Sequence, residues 1–370
     1  MNKPVNTASS PLLYDASYEV PEEDEAKTMD GLVESLRKIA ETTLSHSGHA
    51  MRGVHVKSHG LLRAELRVLD GLPPELAQGI FARAGTWPAV LRFSTSPGDM
   101  LDDNVSTPRG LAIKIVGVDG VRLPNSENDV TQDFVMINGP VFGSAGAKKF
   151  LGSFKLLAST TDKAPALKKV LSTVLQGAEK AVEALGGESA MLKALGGHPE
   201  THVLGETYFT QVPVLYGKYM AKLSLAPVST ALRELKGAPV DLKDRPNGLR
   251  EAVIAFFDST AAEWELRVQL CTDLEKMPIE DASVEWPQDL SPYVAVARIS
   301  AQPQNAWSEA RAAAVDDGMA FNPWHGVSAH RPLGSIMRVR KAAYEFSAKF
   351  RAQHNRAAVD EPSDLDSWPS

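Results

Sequence analysis

Arg340, Tyr344 and Arg351 follow one another at intervals of four and then seven residues. On a helix these offsets fall close to one face, so a phenol projects between two guanidiniums. A guanidinium one turn before a tyrosine favours the phenolate. A phenolate oxygen is one of the few protein ligands that hold ferric haem iron from its proximal side, and the second cation would then lie near the carboxylates at the edge of such a group. Arg-x-x-x-Tyr is also an ordinary surface pair on an amphipathic helix, so the stripe gains chemical meaning only with partners elsewhere.

Partners occur in four segments far upstream. Arg52-Gly-Val54-His55 leads into Val56-Lys-Ser-His-Gly60, and Leu91-Arg92-Phe-Ser94-Thr95, Thr107-Pro-Arg109-Gly-Leu-Ala-Ile-Lys114 and Asp133-Phe-Val-Met-Ile-Asn138-Gly-Pro140-Val-Phe142 come after it. In order and approximate spacing this set resembles the haem catalases, with their distal-histidine segment, Arg-Phe-Ser-Thr strand, Arg-Gly-x-Ala-x-Lys strand and Asn-x-Pro-x-Phe turn. Val284-Glu-Trp-Pro287 and Ala320-Phe-Asn-Pro323 carry the resemblance on to the Arg-x-x-x-Tyr helix, so that it covers roughly residues 45 to 352.

The resemblance implies haem b as the cofactor, with Tyr344 as the axial ligand of its iron and Arg340 holding that tyrosine as phenolate. It makes His55 the distal acid/base, Asn138 the distal amide donor and Ser94 the support of the histidine. Arg52, Arg92 and Arg351 would pair with the haem propionates, Val54 would line the peroxide approach and Phe142 would lie beside the haem. The implied activity is that of a hydroperoxidase, a catalase or catalase-related peroxidase that splits the O–O bond of hydrogen peroxide or an organic hydroperoxide through a ferryl intermediate. Its partners would be a peroxide substrate and a small-molecule electron donor.

Elementary chemistry agrees with these roles. A neutral imidazole takes a proton from the peroxide oxygen nearest iron and returns it to the leaving oxygen. An amide such as Asn138 polarises the leaving oxygen without adding charge. Competing readings exist for each residue. Asn138 before Gly-Pro also suits a plain turn, Arg92 and Arg109 would equally serve as partners of acidic neighbours, and His325 and His330 compete with Tyr344 because imidazole is a commoner ligand of haem iron.

The chain also departs from the catalase pattern. Ordinary monofunctional catalases are longer, so a short catalase-related protein is expected here. Gly143 follows Phe142 where catalases commonly place a second aromatic ring, which opens the pocket to bulkier peroxides. Allene oxide synthases of the same superfamily rearrange fatty-acid hydroperoxides, but they typically carry a hydroxyl-bearing residue before the distal histidine, where this chain has Val54. A hydroperoxide isomerase or lyase, and a haem-binding protein without turnover, remain the alternatives.

The elements that must position these residues are legible as patterns. Leu62–Val68, Ala89–Ser94, Gly110–Val116 and Glu263–Leu270 alternate or run apolar over strand length, with turn clusters such as Ser96-Pro-Gly-Asp99 between them. Dispersed strands of this kind predict an α+β chain built on an antiparallel, catalase-like β-barrel. Residues 1–30 read as an irregular arm. A helix from Met29 to Leu44 with Leu32, Leu36, Ile39 and Leu44 on its apolar side opens a barrel core at 31–302, which carries a helical insertion around 164–195. A helical wrapping segment with the proximal haem helix follows at 303–357, and the acidic, proline-bearing tail 358–370 reads as disordered.

Composition narrows the rest. With 370 residues and 43% hydrophobic content the chain can bury a large core. A net charge of -7 argues against a general nucleic-acid binder. No run is long and apolar enough to span a membrane and no signal peptide is visible, so a cytoplasmic protein is expected; a homo-oligomer is compatible with this reading. The single cysteine, Cys271, excludes a disulfide framework and reads as a small core residue.

Overall fold

The computed structural model describes residues 10–98, 100–160 and 199–369. The helical insertion expected around 164–195 falls outside them. Nine strands occur among the described residues: β1 (Ser58–Val68), β2 (Gly85–Thr95), β3 (Arg109–Val116), β4 (Thr131–Ile137), β5 (Tyr208–Phe209), β6 (Val214–Tyr216), β7 (Tyr219–Pro227), β8 (Ala262–Leu270) and β9 (Val294–Ala301).

Pairing is antiparallel throughout. The sheet runs β5-β4-β3-β2-β1-β9-β8-β7-β6, and β5 also pairs with β7, which closes eight strands into a barrel and leaves β6 as an extra hairpin strand. Closure removes the exposed edges that a long open sheet would carry. The expected α+β chain built on an antiparallel barrel is therefore the observed one.

Period-two alternation sorts each strand into two faces. Leu91 and Phe93 of β2, Leu111 and Ile113 of β3 and Phe134 and Met136 of β4 fill the barrel together with Trp264, Leu266 and Tyr208. The intervening residues, among them Arg92, Ser94, Gly110, Ala112 and Val135, are thereby turned to the outside of the wall. Facing that outer wall stand three helices packed on one another, α1 (Glu25–Ser47), α2 (Ala147–Thr160) and, late in the chain, α6 (Ser335–Asn355). Leu32, Leu36 and Ile39 of α1, Phe154 and Ala158 of α2 and Val339 of α6 form one apolar cluster. Shorter helices α3 (Thr230–Glu234), α4 (Gly248–Phe257) and α5 (Glu309–Ala312) fill in around the barrel.

Two segments differ from the sequence expectation. Helix α1 starts at Glu25, four residues before the predicted Met29, because Arg338 of α6 bonds the Glu25 carboxylate at 2.7 and 2.9 Å and draws the first turn onto the proximal helix. The tail beyond 357 is packed rather than disordered. Glu361 binds the buried Lys114 of β3 and accepts from Thr131 Oγ1 at 3.0 Å, Leu365 joins the apolar cluster of Leu61, Val90 and Phe321, and Arg311 lies over the Trp368 ring at 5.3 Å. Acidic composition misleads here because its carboxylate has a buried cation to meet. Among the described residues no helix is long and apolar enough to cross a membrane. Cys271 is fully buried, as expected of a core residue.

Candidate active site

A cavity of about 410 Å³ lies between the outer wall of β2, β3 and β4 and the helices α1, α2 and α6, within the size range of small-molecule and cofactor pockets. Its walls are mostly apolar, with Leu36, Phe142, Phe154 and Phe321 prominent among them. Arg52, Val54, His55, Arg92, Ser94, Phe142, Arg340, Tyr344 and Arg351 all line it. Residues separated by almost three hundred positions thus meet in one chamber, and of the predicted set only Asn138 is outside its lining.

His55 is held on a left-handed backbone with φ of 54°, a conformation costly for a residue with a side chain and retained where the surroundings enforce it. Its N–H donates to the Ser96 carbonyl at 2.8 Å and its own carbonyl accepts from Arg92 at 2.8 Å. Register explains the ring's position. Ser94 of β2 pairs with Gly110 of β3, Ser94 Oγ contacts His55 Nδ1 at 3.1 Å, and a Cβ on Gly110 would stand 2.5 Å from the imidazole. Glycine is required there for room. Burial, followed by the charges of Arg92, Arg340 and Arg52, pushes the imidazole down to about 3, so the ring is neutral through the physiological range.

Tyr344 lies one turn beyond Arg340 on α6, and Arg340 Nη2 donates to its phenolic oxygen at 2.5 Å. Burial raises the phenol above its ordinary value, while the adjacent guanidinium works the other way and favours the phenolate. The Arg340 guanidinium also sits 5.8 Å from the Phe142 ring centre.

The other three arginines converge on a feature that sequence reasoning missed. A π-helical turn, Ala313–Asp317, follows α5 and presents its carbonyls to them. Arg52 donates to the carbonyls of Asp316, Val315 (3.1 Å) and Met319 (2.8 Å), while Arg351 donates to those of Asp316 (2.7 Å), Asp317 (3.0 Å) and Met319 (3.1 Å). Arg92 Nε reaches the Asp316 carboxylate at 2.6 Å. Burial opposes the charge of Asp316, but Arg92 and Arg52 outweigh it and hold the carboxyl below the usual range.

Asn138 is placed differently from the distal role expected of it. Its Oδ1 accepts from the Arg109 N–H at 2.9 Å and its Nδ2 donates to Glu206, which also binds Arg109. The amide is engaged at the strand end behind the cavity, joining β3 to the segment before β5. Arg109 is the structural partner of Glu206, the plainer of its two sequence readings.

The rival histidines stand outside the cavity lining. His330 is packed among Phe81, Phe134 and Tyr216 and accepts from the Ile80 N–H at 3.0 Å, and burial pushes it down to about 4. His325 lies 3.2 Å from Glu361 and 3.8 Å from Asp133. Lys114 Nζ is 2.8 Å from Asp133 and also contacts Glu361, so an ammonium already occupies the place a cation would take among Asp133, His325 and Glu361.

With barrel and cavity defined, comparison with solved structures is direct. A fungal catalase matches with a TM-score of 0.59 and 18% identity over 88% of this chain and 68% of its own. Catalase A from Saccharomyces cerevisiae matches at 0.60 and 17% identity, over 94% of this chain and 68% of its own, and a bacterial catalase at 0.56 and 16%, over 95% and 65%. The fold is the catalase fold. At such identity the likeness establishes architecture alone. No protein-family model and no curated protein matches the sequence. Within the catalase fold, Asp316 is the local feature that the ordered motifs did not announce, since it acts on residues distant in sequence, whereas Gly110 stands inside the Arg-Gly-x-Ala-x-Lys motif without its spatial role being stated there.

Proposed function

We propose that this chain binds haem b through Tyr344 and acts as a hydroperoxidase. The observation that carries the reading is the single cavity in which Arg340 with Tyr344, His55 with Ser94, and three arginines all converge. The residues fit the cofactor: the walls are apolar, the polar end is cationic, and Arg351 Nε is buried with no hydrogen-bond partner among the described residues, as suits a donor awaiting an anionic oxygen.

Haem held here would supply the redox chemistry of O–O cleavage. The chain's own residues do the rest. Tyr344 would hold the iron through its phenolic oxygen, and Arg340 would stabilise the negative charge of that oxygen through the 2.5 Å hydrogen bond. Arg52, Arg92 and Arg351 hold the carboxylates at the polar end. His55, neutral and fixed by Ser94, accepts the proton of the hydroperoxide and returns it to the departing oxygen. With Asn138 bound to Glu206 and Arg109, proton transfer rests on His55.

A second reading follows from Gly143. Among the described residues a Cβ at that position would meet nothing within 4 Å, and the residue lines the cavity, so these residues leave room there for a bulky organic hydroperoxide. Isomerisation of such a substrate needs no external reductant. Expression with ample haem, an absorption spectrum and an oxygen-electrode trace test the first reading: a Soret band, oxygen release from hydrogen peroxide or oxidation of a phenolic donor, and loss of turnover but not of haem in His55→Ala support it. Absence of a Soret band sinks it. Rearranged product from a fatty-acid hydroperoxide without reductant supports the second.

A further inference from the structure

The three arginines at the polar end of the cavity carry more positive charge than the chain itself neutralises. Arg52 and Arg92 face the half-buried carboxylate of Asp316, whose Oδ1 takes the Arg92 Nε at 2.6 Å and lies 3.6 Å from Arg52 Nη1, while Arg351 donates to the carbonyl of the same residue. Its other oxygen accepts from Ser58 Oγ at 2.7 Å, and Ser58 Oγ in turn accepts from Trp307 Nε1 at 2.9 Å, so the carboxylate is fixed from behind. The remaining bonds of Arg52 and Arg351 run to neutral carbonyls of the π-helical turn, which orient the guanidiniums without cancelling their charge. Asp317 is turned to His49 at 2.9 Å, and Arg250 lies over the Trp307 ring, 3.7 Å from its centre. Asp317 also acts on Arg351 and Arg52, so three guanidiniums stand against two carboxylates and the clamp keeps a positive surplus, at a place where burial forces each charge to find a partner. The lowered Arg52 and the fall of Arg351 to about 10 agree, since burial and mutual repulsion dominate both.

We infer that Asp316 is a positioning and specificity residue: it limits the surplus positive charge of the arginine clamp and so sets how strongly the clamp prefers a macrocycle with free carboxylates over its neutral ester. This rests on the haem reading for the identity of the macrocycle, but not on any turnover. A carboxylate that served only as a structural pin would make every ligand bind worse when altered. Asp316 as a charge setter gives a different signature. Asn at this position keeps an oxygen for Arg92 and an amide for Ser58 while removing the charge, so a dianionic ligand gains and a neutral one does not.

The test uses the full chain and metal-free protoporphyrin IX against its dimethyl ester, followed by fluorescence quenching, so that no iron ligand takes part. The wild type binds the diacid more tightly than the diester. The diacid-to-diester preference rises about tenfold in Asp316→Asn and falls about tenfold in Arg52→Gln, the order of one close-range charge step. The double variant Asp316→Asn/Arg52→Gln, whose clamp carries the wild-type net charge, returns to the wild-type preference. If Asp316→Asn fails to fold, Arg52→Gln and the double variant still decide. A wild type indifferent to esterification, or one preference shared by all the folded proteins, overturns the inference. A porphyrin preference that follows this ladder alongside a haem-loaded protein with no peroxide turnover would leave the inference standing and reject the hydroperoxidase reading.

Discussion

The imidazole of His55 occupies the space that a side chain at position 110 would need: an added Cβ on Gly110 stands 2.5 Å from both Nδ1 and Cε1 of the ring. The His55 main chain is held by hydrogen bonds to Ser96 and from Arg92, and the ring by its 3.1 Å contact with Ser94, so making room would cost the ring its place. Gly110→Ala should therefore cost about 1–3 kcal/mol through overpacking and lower peroxide turnover about 100-fold by displacing the acid/base. Thermal unfolding and oxygen-electrode rates on protein of equal haem content check both. Wild-type turnover in a folded Gly110→Ala protein would remove His55 from the proton path.

Depression of His55 to about 3 predicts a flat acid limb. From pH 8 down to about 5 the imidazole stays neutral, so kcat/KM for peroxide should not fall along the titration of an ordinary histidine, near 6.5. The stability consequence has a fixed sign. The unfolded chain binds a proton below about 6.5 while the folded one does not until about 3, so stability is full above the first value and declines as pH falls between the two, by up to ~1.4 kcal/mol per pH unit and group. His330 and His202, each pushed down to about 4 by burial, add to the same decline. His55→Gln should accordingly shift acid unfolding to lower pH. A rate profile with a midpoint near 6.5 contradicts the assignment.

Much of this arrangement is legible in the sequence because it follows local periodicity. Alternation in Leu91-Arg92-Phe93-Ser94 already assigns the arginine and the serine to one face and the core residues to the other, and the helical offset from Arg340 to Tyr344 yields the observed contact. Pairings between distant segments are not written in any window. Asp316 sits in Val315-Asp-Asp-Gly-Met319, which reads as an exposed acidic turn until three arginines from β2, α6 and the loop before β1 close on it. Asn138 shows the converse. Its motif suggests a cavity residue, but Glu206, nearly seventy residues later, captures its amide. In the tail, the charge of Glu361 suggested disorder, while Leu365 and Trp368 were the apolar signal for packing.

Arg340 and Tyr344 should be separable by experiment. Removing the phenolic oxygen in Tyr344→Phe should abolish or greatly weaken haem retention, seen as loss of the Soret band after gel filtration. Arg340→Gln should retain haem better at high pH than at neutral pH, because burial raises the phenol and only the guanidinium opposes it. Unchanged spectra in Tyr344→Phe would place the iron ligand elsewhere.

The packed tail supports the wall behind the cavity. Lys114 has no solvent exposure and depends on Asp133 and Glu361 for its charge; together they raise it despite burial, and Lys114 and His325 hold Glu361 low. Removing a buried partner leaves charge uncompensated, and Glu361→Gln should cost about 2 kcal/mol, less than a fully broken pair because Asp133 remains. Leu365→Ala should cost about 2–3 kcal/mol by opening a void against Leu61, Val90 and Phe321. The pH dependence separates the two. Glu361 is depressed in the folded state, so its contribution is present above about 4.3 and is lost as pH falls through its lower folded value, whereas the Leu365 loss is the same at every pH. Because Phe321 belongs to this cluster and also lines the cavity, deletion of residues 358–370 should loosen haem as well as lower the melting temperature. A deletion protein with wild-type melting and haem retention would show that the tail does not brace the site.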